Sequence, residues 1–327
     1  MNFFTKTWRR LQWARTPEKK KRQMMEETVD LLKLDPDAYE LLRMARADGV
    51  EIRFSSELTG STTSARHILN FGIQKQYIEI CPYTASGELK TPGKTAPDLV
   101  HELRHYWQYK QLGVTPQNGN HLNRTPRLAF IFNRVAEADA YAFQDKFVDT
   151  VNETFKGVDE MTKILLEFQE KKGLLTPEDV FLFSQKINMD FQQFRSKDGQ
   201  LLKTNFMDRL KSKNLSDSYD PREVRHLHLF HTSPAARSSD FAAVKNIPEL
   251  TLADIKGVLK AGVMKNAPGY LDEMSDDQFE NLVLGYAHKK ALEAVSLMEK
   301  FRGAVAGNDN KTAKALRRQV QEKIRKL

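Results

Sequence analysis

Thr95-Ala96-Pro97-Asp98-Leu99-Val100-His101-Glu102-Leu103-Arg104-His105-Tyr106-Trp107 is the stretch whose reading decides the fold. Thr95 is a cap-like residue, Pro97 suits a first helical turn, and Asp98 suits the positive end of a helix dipole. Together they predict a helix from about Ala96 to Leu112, with Gly113 as its stop. Val100, Leu103 and Trp107 form an apolar stripe at helical spacing, which gives this helix a core-facing side. His101 and His105 are four residues apart and so project from one face, with Glu102 beside the first. Two neutral imidazoles can each donate a nitrogen lone pair at about 2.0–2.1 Å, and a third protein ligand would complete a zinc cage with one open position. In that pattern Glu102 is the general base for a metal-activated water. Arg104 is expected to reach toward solvent or an acidic partner rather than the metal.

Working outward, Val50-Glu51-Ile52-Arg53-Phe54 alternates apolar and polar residues, and Tyr77-Ile78-Glu79-Ile80-Cys81 is a similar β-prone run ended by Pro82. Both read as short, half-buried antiparallel strands, and an exposed edge among them could hold an extended peptide through main-chain hydrogen bonds. Downstream, Thr125-Pro126 signals another helix start, followed by an apolar-rich segment through Phe130, Phe132, Val135, Ala138, Ala142 and Phe143. Glu137 and Asp139 lie within it. Residues two apart on a helix point about 200° apart, so only one of these carboxylates can face a given metal. Glu137 is the preferred third ligand, because small Ala138 and Ala140 would permit close helix approach; Asp139 is the fallback.

His101, Glu102 and His105, followed by Glu137 with Ala140 three residues beyond it, resemble the gluzincin type of zinc metallopeptidase. The wider strings Val100 to Gln108 and Glu137 to Phe143 are similar to uncharacterised bacterial domains assigned as metallopeptidases from sequence only. The resemblance covers roughly residues 50 to 150. It implies that the two His and the Glu bind Zn2+ and that the motif Glu acts on the water. Many gluzincins carry Asp or Asn four residues after the ligand Glu, orienting a metal-bound His, whereas this chain has Tyr141.

Composition bounds the remaining possibilities. The chain of 327 residues can bury a sizeable core, and Cys81 is its single cysteine, so neither an internal disulfide nor a Cys-rich zinc site can form. A reducing, cytoplasmic setting is expected, with no apolar segment near 20 residues to cross a membrane. The net charge of +8 is unevenly spread. Residues 1–22 hold eight Lys or Arg against one Glu (+7), residues 311–327 seven against one (+6), and the rest is therefore about −5. Basic tails on an acidic body argue against specific nucleic-acid binding. The tails could instead meet an anionic membrane surface or an acidic partner. At the N-terminus Phe3, Phe4, Trp8, Leu11 and Trp13 interleave with Lys6, Arg9, Arg10 and Arg15, a pattern shared by interfacial amphipathic helices and by terminal helices that dock aromatic faces on a body.

Elsewhere helical signals dominate. Asp35-Pro36 opens a helix closed near Gly49, Thr176-Pro177-Glu178 another, and Asp220-Pro221 a third. Asp159–Lys172, Pro177–Phe194, Leu252–Leu259 and Asp276–Phe301 show helical periodicity, and Gly303–Asn310 reads as a short flexible stretch before a basic last helix. The expected fold is α+β: a small antiparallel sheet with zincin-like metal-binding helices, followed by a mostly α-helical C-terminal domain. The expected segments are 1–34, basic and aromatic; 35–157, metal-binding, ending at Gly157 after the long helix; and 158–327, helical. His226, His228 and His231, or Tyr106, Tyr109 and Tyr141, are candidate donors to an oxyanion, although aromatic residues at helical spacing more commonly pack in cores. The expected activity is zinc-dependent hydrolysis of a protein or peptide, with His101, His105 and Glu137 as ligands and Glu102 as base. The competing expectation is a non-catalytic interaction or scaffold protein using its basic termini.

Overall fold

The computed structural model describes residues 3–58, 64–70, 75–84, 86–114, 126–169, 206–211, 250–261, 273–285 and 289–326. Three helices open the chain: α1 (Phe3–Arg15), α2 (Glu18–Leu32) and α3 (Pro36–Ala47). The start of α3 follows from its sequence. Asp35 sits in extended backbone and its carboxylate accepts from the Asp37 and Ala38 amides at 2.9 and 3.0 Å, while Pro36 occupies the first position, where no amide is needed. Gly49 then ends the helix region with φ +74°, a conformation that side chains with a Cβ avoid.

Three strands follow, β1 (Glu51–Phe54), β2 (Ala65–Asn70) and β3 (Lys75–Ile80), in the order β1-β3-β2. The sheet is mixed rather than antiparallel, which corrects the sequence expectation: β1 runs parallel to β3, and only β2 is antiparallel to it. The chain crosses from β1 to the far edge, forms β2, and returns through β3 into the middle. β3 is thus paired on both sides, and β1 and β2 are the edges among the described residues. The register places Arg53, Glu79 and Arg66 side by side on one face. Glu79 accepts from Arg53 at 2.9 Å and from Arg66 at 2.7 Å. Burial alone would raise the Glu79 carboxyl, but these guanidinium hydrogen bonds outweigh it and hold the group below its ordinary value. The opposite face carries Ile52, Ile78 and His67 in register.

Helix α4 (Pro92–Gln111) starts four residues earlier than the sequence suggested, so Thr95 is not its cap. Thr95 Oγ1 instead lies 3.1 Å from the Pro92 carbonyl and 2.7 Å from Thr28 Oγ1 on α2. Pro97 stands inside the helix and forfeits one backbone bond. The end is as expected. Gly113 has φ +65°, its amide reaches Lys110 O at 3.0 Å, and the Val114 amide reaches Tyr109 O at 2.9 Å, the paired bonds of a Schellman stop. Val100, Leu103 and Trp107 are all buried, as the stripe required.

Helix α5 (Pro126–Gln169) begins at the anticipated proline but runs through Gly157 without a break, so the helix end expected there is absent. The remaining described elements are helices: α6 (Phe206–Lys211), α7 (Leu252–Lys260), α8 (Asp276–Gly285), α9 (Lys289–Ala306) and α10 (Asn310–Arg325). The run Asp276–Phe301 is therefore two helices, and the stretch after Gly303 is mostly helical, with a tight turn at Gly307–Asp309. The expected helices opened by Thr176 and Asp220 lie outside the described residues.

Backbone contacts divide the chain into two compact units, residues 1–107 with 140–204, and 108–139 with 205–327. In the first, α4 is the central element, tied to α2 by Thr28 and Thr95 and to the end of α3 by Tyr106, whose hydroxyl donates to Asp48 at 2.5 Å. Its buried residues include Leu32, Leu41, Leu42, Ile78, Val100 and Leu103. A satellite cluster of Leu58, Cys81 and Tyr83 packs against Trp13 and Leu89. Burial pushes the Cys81 thiol above its ordinary value, which makes it a packing group rather than a nucleophile. In the second unit, Thr251 and Asp254 form a reciprocal capping box at the start of α7, and Asp309 caps α10. Phe279, Val283, Ala294, Met298, Val320 and Ile324 are buried there.

Candidate metal centre

His101 and His105 stand one turn apart on α4, as the motif requires, and their Nε2 atoms are 3.0 Å apart. Two ligands of a tetrahedral zinc with bonds of about 2.0–2.1 Å would be separated by roughly 3.3 Å, so the spacing of the two nitrogens, here within hydrogen-bond distance of each other, is close to that of a ligand pair. Glu137 on α5 supplies a carboxylate oxygen, and the three ligand atoms all lie within 4.8 Å of one another. Two imidazole nitrogens and one carboxylate are a donor set suited to a divalent metal with an open position, and a carboxylate rotamer change can close the remaining gap. These residues could hold a metal ion.

Glu137 and Asp139 have different surroundings, and one neighbour is a residue that sequence reasoning did not weigh. Gln108 is fully buried, and its amide donates to Asp139 Oδ2 at 2.7 Å and to the Ala136 carbonyl at 2.9 Å. Asp139 is held by that amide, while Glu137 joins the two histidines.

Glu102 is buried beside His101, and its Oε2 accepts from the backbone amide of His67 at 2.7 Å. The general-base candidate is therefore fastened to an edge strand, β2. His67 brings a third imidazole into this neighbourhood, which the sequence reading missed. Burial, reinforced by the nearby His105, pushes the His67 ring down to about 3, so it is neutral at physiological pH. The signal was faint, because Ala65–Asn70 lacks the clean alternation of the other two strands.

Tyr141, on α5, lies beside the first histidine. Its ring packs on His101 with centroids 4.5 Å apart, so this side chain restricts the imidazole by contact. Of the other two candidate tyrosines, Tyr109 meets Phe132 edge-on at 5.8 Å, and Tyr106 donates to Asp48. Burial, with the Asp48 carboxylate, raises the Tyr106 phenol well above its ordinary range. Arg104 does not reach solvent. It is 2 % exposed, with its guanidinium over Trp107 at 4.0 Å and Phe143 at 5.0 Å. His226, His228 and His231 lie outside the described residues. No helix among the described residues is long and apolar enough to cross a membrane. Comparison with protein-family models, with curated proteins and with solved structures gives no match to this chain.

Proposed function

We propose that this protein is a zinc-dependent peptidase on a zincin-like arrangement of sheet and helices. One observation carries the reading: His101, His105 and Glu137 converge within 4.8 Å. Glu102, beside the first of them, has its carboxylate aimed by the His67 amide. A zinc ion held there supplies an acidified water and polarises a carbonyl. The carboxylate of Glu102 takes the proton of the attacking water and passes it to the leaving amine. Oε2 of that carboxylate is kept in place by β2, so the base is oriented before substrate arrives. Tyr141 keeps the His101 ring from turning, and Gln108 keeps Asp139 from competing with Glu137.

An extended chain can add to a sheet edge through main-chain bonds, which supports a peptide substrate; β1 and β2 are the edges among the described residues, and on β2 the His67 amide is already taken by Glu102. A reducing cytoplasmic setting accords with a lone buried cysteine. The test is elemental analysis of protein purified without a histidine tag, followed by hydrolysis of a quenched fluorescent peptide library. The expected outcome is near-stoichiometric zinc and cleavage that stops with Glu102→Gln. Absence of bound zinc even after zinc is supplied would overturn the proposal.

A further inference from the structure

Helix α1 places its two tryptophans on different faces. Trp13 turns inward, with its ring edge-on to Phe54 at 5.4 Å and to Tyr83 at 6.4 Å. Arg9, four residues earlier on the same side, is 3 % exposed and lies against Gly87, and Arg10 reaches Glu57 at 3.4 Å. This side fixes the helix to the body. Trp8, Leu11 and Arg15 fall at spacings of three and four residues on the other side. Trp8 is 57 % and Leu11 47 % exposed, and with Val305 they are the only large hydrophobic side chains so exposed among the described residues. A helix needing only to dock would have no reason to keep a Trp and a Leu in water one turn apart.

Arg15 continues this face one turn beyond Leu11 and is exposed, and Lys19, Lys20 and Arg22 are exposed in the first turns of α2; Lys21, over Trp13 and paired with Glu18, belongs to the docked side. The first 22 residues carry +7 in all. The other basic terminus lacks the combination, because α10 buries its apolar residues Val320 and Ile324. An exposed Trp and Leu on the face that ends in Arg15, in a segment of high positive charge, match the boundary between anionic headgroups and acyl chains.

We infer that the outward face of α1, Trp8 and Leu11 with the Arg15–Arg22 cations, is a docking surface for an anionic lipid bilayer. The inference is independent of the metal centre. The occupant is a membrane surface rather than a second copy of the chain, because two copies would bring the same +7 segments together.

The test is co-sedimentation of the full chain with vesicles of phosphatidylcholine alone or with about one third phosphatidylserine, at low and high salt. Wild type should bind the anionic vesicles at least about tenfold more tightly than the neutral ones, with affinity falling as salt rises. Trp8→Ala with Leu11→Ala should cut binding to anionic vesicles by roughly tenfold or more, and these exposed positions leave the core untouched. Lipids brominated on the acyl chain should quench wild-type fluorescence and quench Trp8→Phe far less, since Trp13 and Trp107 face the body. Equal binding to the two vesicle types would overturn the inference. So would undiminished binding by the double variant, or self-association in sedimentation velocity that the double variant abolishes without any vesicle binding.

Discussion

Exchange of the two acidic residues of α5 separates ligand from neighbour. Glu137→Gln keeps the size of the side chain but removes the charge and the anionic donor that meet His101 and His105. Residues that only orient ligands typically change metal affinity 10- to 100-fold, so loss of a direct ligand should exceed about 100-fold, or roughly 3 kcal/mol. Asp139→Asn presents an amide oxygen that can still accept from Gln108 Nε2, now 2.7 Å from the carboxylate, so zinc affinity should stay within about tenfold. Asp139→Ala leaves one Gln108 donor without that acceptor in a fully buried setting, a cost of about 1–2 kcal/mol in stability. The two positions therefore have opposite signatures: metal loss at Glu137, stability loss at Asp139. Competition with a chromophoric chelator measures the first, and denaturant unfolding of the metal-stripped protein the second. Zinc retained at wild-type affinity by Glu137→Gln, or released by Asp139→Asn, would refute the assignment.

Glu102→Gln should retain zinc and fold, since the new amide oxygen can still accept from the His67 amide, while peptide hydrolysis falls by about 10²–10⁴-fold; parallel zinc assay and peptide cleavage check both halves. Glu79 has a folded value held below its unfolded one, so its contribution is fully present above the ordinary value of 4.5 and is lost as pH falls through the lowered value. Urea unfolding at a series of pH values should accordingly show a weaker acid loss for Glu79→Gln than for wild type, and identical slopes would count against the Arg53–Glu79–Arg66 ladder. Asp35→Ala removes both amide contacts at the start of α3 and should cost about 1 kcal/mol, read as a lower urea midpoint with unchanged slope.

Much of the fold was legible because helix punctuation is local. Asp35-Pro36 and Gly49 bracket α3, Gly113 closes α4, and Pro126 opens α5, each for reasons of backbone dihedrals and amide satisfaction within a few residues. The same argument failed at Thr95, where the hydroxyl is drawn to Thr28 of another helix, and at Gly157, which the long α5 tolerates. Strand pairing was not legible. The parallel match of β1 with β3 and the course of β2 join residues through long-range contacts, and β2 itself carries no strong alternation.

For the candidate site, sequence by itself determined that two imidazoles and a carboxylate share one helical region, because a 3.6-residue period leaves no other place for residues one and four apart. It also offered Glu137 and Asp139 as the candidates for a third ligand and excluded a Cys-rich zinc site. Only the tertiary structure shows Gln108 on Asp139 and Glu137 beside the two histidines, and only it brought His67 and the β2 amide to Glu102. It likewise decided that Trp13 packs inward while Trp8 faces water. The physical reason is common to these cases: a side chain's direction along a helix follows from local geometry, whereas its partner is set by packing between segments distant in the chain.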